Sequence, residues 1–334
     1  LVGVLDGWAR RVAVAEPLEL LTERALLMGL QRGGTVSCGG TTRLLSAADR
    51  PIAVCLARAE DRELLPAWLE VSPETLGEGW PDKAPWEELS ILVAQRRAPE
   101  LDKRAALLGL PVGVPGVSRP RPPVLEYHIG AAPARPIEAT TVVDLSSLWA
   151  GPLCGALLAR MGASVIKVES STRPDGTSQS SPAFDERLNG AKQRVVLALP
   201  EERDDLAAII EDADVVIEAS RPRALAQLGI DATETRRHRP QVWLSITGHG
   251  REPGIRVAFG DDAAIAGGLW CSDDHGPVFC VDAIADPATG IAAAAACVDA
   301  LQQGGRWLLD ISMVAVAAAL AGPTIPLPPQ LGAI

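Results

Sequence analysis

From residue 139 onward, short β-branched runs alternate with stretches of helical apolar spacing. Thr140–Ser146 (TTVVDLS) reads as a strand ending in a polar turn. Trp149–Gly162 (WAGPLCGALLARMG) reads as a helix, with Pro152 suited to its first turn and Gly162 as its stop. Ala163–Glu169, Val195–Leu199, Asp214–Ala219 and Gln241–Gly248 are further strands, and acidic, amphipathic Pro200–Ala213 is a helix. Ala288–Leu301 is a small-residue helix, and Arg306–Met313 is a strand leading into a last apolar stretch, Val314–Leu320. Strand, helix, strand at this rhythm predicts βαβ units and a parallel sheet.

The first 110 residues are less regular. Pro17–Leu30 predicts a helix that stops at a glycine-bearing turn, Arg32–Gly40 (RGGTVSCGG). Leu44–Ala57 predicts a hairpin turning at Asp49–Pro51, with short helices at Arg62–Val71 and Glu100–Leu110. Between the halves lies Pro111–Glu138, with seven prolines in 28 residues, which cannot sustain a helix or an inner strand. The expected fold class is therefore α/β. A small α+β domain (1–110) is followed by an extended, surface-running linker (111–138) and a Rossmann-like parallel-sheet domain (139–334).

Composition narrows the function. Apolar residues make up 47% and charged residues 22%, enough for sizeable cores. Lys and Arg total 31 against 42 Asp and Glu, a net charge of −11 that repels phosphate backbones, so nucleic acid is not expected as a partner. The longest apolar stretches, near Ile291–Val298 and Ile311–Gly322, fall short of the roughly 20 residues of a membrane span, so no membrane partner is expected either. No basic start followed by an apolar segment marks a secretory signal. The six cysteines are scattered, without CxxC spacing, and read as buried thiols in a reducing, cytoplasmic setting. The four histidines read as surface or turn residues, and no metal site is expected. The chain begins at Leu1 rather than Met, which reads as trimming.

Three places carry candidate chemistry. Gly151 and Gly155 open the helix after the first strand, where backbone N–H groups favour a phosphate or where the glycines only let the helix pack closely. Glu169 ends the second strand, 18 residues after Gly151, near the spacing of a dinucleotide fold's ribose-binding acid, but GxGxxG is absent. Asn189, Lys192 and Arg194 gather before a strand, as ligands for a phosphate-bearing molecule or as a solvated turn. Asp286, in AIADPATGIAAAAA, is either an N-cap or a nucleophile kept ionised beside a helix N-terminus. Asp273–Gly276 reads as a hairpin turn.

Six segments in order resemble one family, the class III CoA-transferases of CaiB/BaiF type, the group that also contains α-methylacyl-CoA racemase. They are VVDLSSLWAGPLCGALLARMGASVIKVE, LNGAKQRVVLAL, DADVVIEASRPRALAQLGID, WLSITGHG, IADPATGIAAAAACVDAL and GRWLLDISM, from Thr140 to Met313. The resemblance implies that Asp286 is the catalytic aspartate, forming an acyl anhydride and a CoA thioester. It implies that Trp149, Ala150 and Gly151 touch CoA, that Lys192 (and Arg194 beside it) lies near the CoA phosphates, and that Ser220 and Arg221 line the CoA site. It also implies an interlocked homodimer.

The chain departs from the family at several points. Ser170 stands where an Arg often meets the adenine end of CoA. Gln193 stands where an Arg is usual, and Arg194 comes one residue later. ENFRPG becomes EASRPR. Asp261 occupies the place of the racemase His, and a carboxylate cannot supply an imidazole, so racemization is disfavoured. RALLMGLQRGGTVSCGG and DKRAALLGLPVG resemble family segments that normally come last, so the order looks permuted or cut from a tandem protein. Gly33, Gly34, Gly39 and Gly40 are then candidates for a lid, or for a plain hairpin turn. The expected activity is acyl-CoA:carboxylate CoA transfer, with CoA as the substrate thioester, a carboxylic acid as acceptor and no metal. Two alternatives remain at this stage: a non-catalytic CoA- or partner-binding subunit, and a nicotinamide-binding enzyme.

Overall fold

A computed structural model describes residues 2–220, 222–232, 240–252, 256–274 and 276–322, with Pro222 and Arg223 as backbone only. The first part of the chain gives α1 (Val2–Arg11), α2 (Pro17–Met28), β1 (Thr42–Ser46), β2 (Pro51–Cys55), α3 (Ala59–Glu63), α4 (Leu65–Leu69), α5 (Trp86–Ala94), α6 (Ala98–Leu108) and β3 (Val112–Gly113). Strands β1, β2 and β3 form an antiparallel sheet, with the expected hairpin pairing Ser46 with Pro51. Its core is Ile52, Val54, Leu65, Trp68, Leu69, Leu89, Val93 and Leu101, contributed by the strands and by α4, α5 and α6. Helices α1 and α2 do not join that core. Their Leu5, Ala9, Leu20 and Leu21 pack into the core of the larger sheet.

The remainder gives β4 (Val124–Gly130), β5 (Thr141–Asp144), α7 (Ala150–Arg160), β6 (Ser164–Ser170), α8 (Gly176–Ser180), α9 (Pro182–Asn189), β7 (Gln193–Leu197), α10 (Arg203–Glu211), β8 (Val215–Glu218), α11 (Pro222–Gln227) and β9 (Val242–Thr247). Then come α12 (Gly260–Ala266), β10 (Cys271–Asp273), β11 (Gly276–Val278), α13 (Ala285–Gln303), β12 (Arg306–Ser312) and α14 (Met313–Ala321). Seven strands make one sheet in the order β4-β12-β9-β8-β5-β6-β7, parallel except for β4, which pairs antiparallel with β12 at one edge. The proline-rich linker thus contributes a strand, at an edge where proline is tolerated.

The inner strands are apolar on both faces because both faces are covered. Val142, Val215, Ile217 and Leu244 face α7 and α13, while Val143, Val216 and Trp243 share a second core with Leu206 and Ile210 of α10. The Ala-rich α13 is buried on nearly every side, and its small residues let α7 come close. A Cβ added at Gly290 would fall 2.7 Å from Ala150 O. Helix α12 lies between the small sheet and the large core: a side chain at Gly113 of β3 would fall on the Asp262 carbonyl, and Ala263 and Ala264 belong to the large core. The hairpin expected at Asp273–Gly276 is the β10–β11 turn. Cys55, Cys154 and Cys297 are buried, whereas Cys271 is exposed, against the expectation of buried thiols throughout.

Candidate active site

Sheet topology fixes where chemistry gathers. The chain leaves β5 in one direction to β6 and β7, and in the other to β8, β9 and β12, so β5 and β8 flank the switch point. Ligands of open parallel sheets bind beyond the strand carboxyl ends at such a point. Helix α7 follows β5, and α13 returns the chain to β12, so both helix N-termini lie at that end. Each is preceded by a non-glycine residue with positive φ: Leu148 at 70° and Ala283 at 41°. Backbone strain of this kind persists only where surrounding contacts impose it. The Leu148 amide donates to Asp175 at 3.1 Å, and the Ala283 amide donates to Asp261 Oδ1 at 3.0 Å.

Asp286 is the second residue of α13. It does not cap the helix; the N-cap position is Ile284, and no side chain caps it. Its half-buried carboxylate instead accepts the Gly260 N–H at the start of α12. A Cβ at Gly260 would collide with Asp286 Oδ2. Three further acids surround it: Asp261 and Asp262 of α12, and Asp282 in the turn before α13. Burial raises the Asp286 carboxyl, Asp261 and Asp282 push the same way, and Arg24 and the Gly260 N–H pull back, which leaves it at about 7. Burial and Asp282 likewise lift Asp261 to about 6, against the Ala283 N–H, Arg24 and Ser37. Asp262, fully buried, lies well above the ordinary carboxylate range, chiefly from burial.

Arg24 of α2 supplies the cation. Its Nε donates to Asp282 Oδ2 at 2.6 Å and its Nη2 donates to Oδ1. The same guanidinium lies 5.1 Å from the Trp149 ring centre, and Trp149 in turn meets Phe184 edge-on at 5.1 Å. The glycine-bearing turn closes against this group. Ser37 hydrogen-bonds Asp261, Gly39 abuts Arg24, and the Phe279 amide donates to Gly34 O at 3.1 Å. Asp286 and the turn at Trp149 are thus brought together, with Arg24, Asp282 and Asp262 added to what the sequence singled out. Arg24 had left a signal. It continues the buried stripe Pro17, Leu20, Leu21 at helical spacing, and a cation on an apolar stripe calls for a partner.

The other predicted residues lie differently. Trp149, Ala150 and Gly151 are buried, and Gly151 is glycine because Ser146 fills the space of its Cβ. Ser220, just past β8, has a buried Oγ without a partner among the described residues, and Trp149 Nε1 is in the same state. Arg221 lies outside the described residues. Lys192 is not an exposed loop cation. Its ammonium, 0% exposed, donates to Asp144 Oδ2, Pro152 O and Asn189 Oδ1, each at 2.8 Å. Those three bonds use all its hydrogens. Gly155 leaves room for the pair, since a Cβ there would sit 3.0 Å from Lys192 Nζ. Arg194 is shared by Glu169, at 3.1 Å, and Asp185.

Residues 137–329 match CoA-transferase family III. The chain belongs to that family. A succinate–glutarate CoA-transferase of Agrobacterium fabrum is 30% identical over 210 residues, which is 55% of this chain and 52% of that one. A succinyl-CoA:mesaconate CoA-transferase of Haloarcula hispanica is 33% identical over 122 residues, covering 33% of this chain and 31% of that one. The crystal structure of a CaiB/BaiF family protein from Brucella suis matches at a TM-score of 0.51 with 26% identity, over 56% of each chain. The match therefore spans between 31% and 56% of the length of these relatives. The α/β class and the family read from the sequence stand. Among the described residues no helix is long and apolar enough to cross a membrane, and no group of three His, Cys, Asp or Glu is placed to hold a metal.

Proposed function

We propose that this family III chain transfers CoA from an acyl-CoA to a carboxylic acid, with Asp286 as the nucleophile. The observation that carries the reading is a half-buried carboxylate in the first turn of α13, fixed by the Gly260 N–H and beside a paired guanidinium. An Asp286 oxygen attacks the thioester carbonyl, the C–S bond breaks, and CoA leaves as thiolate, giving a mixed anhydride. The thiolate then attacks the aspartyl carbonyl, releasing the donor acid and leaving an aspartyl-CoA thioester. The acceptor carboxylate attacks that thioester, and the returning thiolate takes the new acyl group and frees Asp286. No net proton is consumed, so the site needs an ionized carboxylate and a polar pocket rather than a strong base. Binding energy from the distant nucleotide of CoA can be spent on this covalent step.

Trp149 Nε1 and Ser220 Oγ, both buried and without a partner among the described residues, are polar atoms suited to meet the thioester end of CoA at the turns after β5 and β8. Ala150 and Gly151 contribute that turn's backbone. A role for Lys192 and Arg194 at the CoA phosphates draws support from the family resemblance alone, since both cations already have acidic partners. The glycine-bearing turn is read as a cover over Asp286. The permuted order, a cytoplasmic setting and an interlocked homodimer belong to the same proposal, whereas a division at 110 and 138 does not fit α1 and α2 in the large core or β4 in the large sheet. Sedimentation at micromolar concentration should give a dimer, and a monomer would remove that part.

Incubation with an acyl-CoA should add a mass to Asp286, and hydroxylamine should convert it to an aspartyl hydroxamate; Asp286→Asn should show neither. A wild-type chain that binds CoA but never acquires the adduct is the non-catalytic subunit instead. The nicotinamide reading is less favoured, since GxGxxG is absent and Glu169 already accepts from Arg194.

A further inference from the structure

We propose that Arg24 is a positioning residue for Asp286: clamped on Asp282 and laid against Trp149, its guanidinium sets the charge state and orientation of the carboxylate. The inference rests on the reading of Asp286 as nucleophile. It places part of the reacting site on α2, outside residues 137–329 that match the family.

Each element around Asp286 contributes a named group. Helix α2 contributes Arg24, the turn before α13 contributes Asp282, and α12 contributes Asp261, Asp262 and the Gly260 N–H. The glycine-bearing turn adds the Cys38 thiol, which faces Asp282, Asp261 and Arg24. Among these groups there are four acids and a single cation. Arg24 uses its planar fork on both oxygens of Asp282, whose side chain is 0% exposed, while Trp149 lies against it. A guanidinium held on its edge and its face cannot swing away, and a lysine can satisfy only one of these demands. Arg24 therefore neutralizes Asp282 and leaves Asp286 free to ionize. Without it, Asp261, Asp282 and Asp286 compete to shed charge, and like charges in one site raise the most strained carboxyl. The clamp also ties α2 to the turn carrying Ala283, so it bears on where the Asp286 side chain points.

The test uses the full chain with Arg24→Gln and Arg24→Lys. In Arg24→Gln the acid limb of kcat/KM for acyl-CoA should move up by about one pH unit or more, the scale set by one close charge. Since Asp286 is near half-ionized at pH 7 in the wild type, with its carboxyl at about 7, the rate there should fall about fivefold or more. Arg24→Lys should keep the acid limb close to the wild type while lowering kcat, because charge survives and the fork does not. A second readout does not depend on turnover: pH-dependent amidation of Asp286 by a water-soluble carbodiimide and an amine, mapped by mass spectrometry. Its midpoint should rise in Arg24→Gln. An unmoved acid limb and an unmoved labelling midpoint in Arg24→Gln overturn the proposal. If Arg24→Gln does not fold, Arg24→Lys decides, and a limb shifted a full unit despite the retained charge overturns it. A wild type that forms no hydroxamate, but whose labelling midpoint moves on Arg24→Gln, keeps the Arg24–Asp286 coupling and rejects the nucleophile.

Discussion

Lys192→Met should destabilize the unliganded protein. The side chains of Lys192 and Asp144 are both 0% exposed, and the ammonium donates three hydrogen bonds of 2.8 Å. Methionine fills a similar volume, so the change removes charge and donors rather than packing. Burial alone would raise Asp144, but Lys192 and Lys167, with hydrogen bonds from Lys192 and Ser146, outweigh it and hold the carboxyl at about 2. Removing one partner of a buried pair leaves an uncompensated charge and costs about 3–5 kcal/mol. At about 2.1 cal/mol/K per residue, unfolding 334 residues carries about 0.7 kcal/mol/K, so the midpoint should fall roughly 4–7 °C. The pH dependence follows from the depressed value. An acid with its folded pKa below its unfolded one contributes fully above about pH 4 and loses that contribution as pH falls toward 2. The gap between wild type and variant should therefore be widest at neutral pH and close in acid. Adding Asp144→Asn should recover part of the loss, since the orphaned charge is then gone. Calorimetry of the wild type, Lys192→Met, Asp144→Asn and the double variant, with CoA titrations in parallel, decides the matter. A Lys192→Met midpoint within a degree of wild type, with CoA binding weakened, would refute the buried-pair account and return Lys192 to the CoA phosphates.

Two further outcomes follow from the geometry around Asp286. Its carboxyl, raised by burial to about 7, ionizes in the unfolded chain well before it does in the folded one, so wild-type stability should fall as pH rises from about 4 to 7. Asp286→Asn should remove this carboxyl's share of the slope, leaving that of Asp261 and Asp262, so the variant should match the wild-type midpoint near pH 4 and exceed it above pH 7, while turnover is lost; a constant midpoint difference across that range would contradict the raised carboxyl. Gly260→Ala sets a methyl group against Asp286 Oδ2 and the Ala283 carbonyl, so turnover should drop by about a hundredfold from a displacement of the order of 1 Å. Steady-state rates at saturating acyl-CoA measure it, and a rate within twofold of wild type would show that the carboxylate needs no such fixed place.

The alternation of strands and helices beyond residue 139 was legible because each inner strand is covered on both faces, which favours consecutive β-branched and apolar residues such as VV in TTVVD and VWL in QVWLSIT. Asp286 stood out because an acid followed by proline and a row of alanines is local text, but that text allowed an N-cap as well as a nucleophile. The tertiary structure alone decided what faces it. Arg24 and Asp282 stand 258 positions apart, and nothing in either neighbourhood names the other. The same limit hid the fate of Lys192: a cation in LNGAKQR reads as a phosphate ligand or a solvated turn until β5 places Asp144 beneath it and Gly155 clears the space. It hid the strand within the proline-rich linker, because the free edge of β12 that accepts Val124–Gly130 belongs to a distant part of the chain. It hid the docking of α1 and α2 on the large core as well. Periodicity states which face of an element is apolar. Which two faces meet, and which charges are buried between them, is settled only when the whole chain closes and every buried polar group must find a partner.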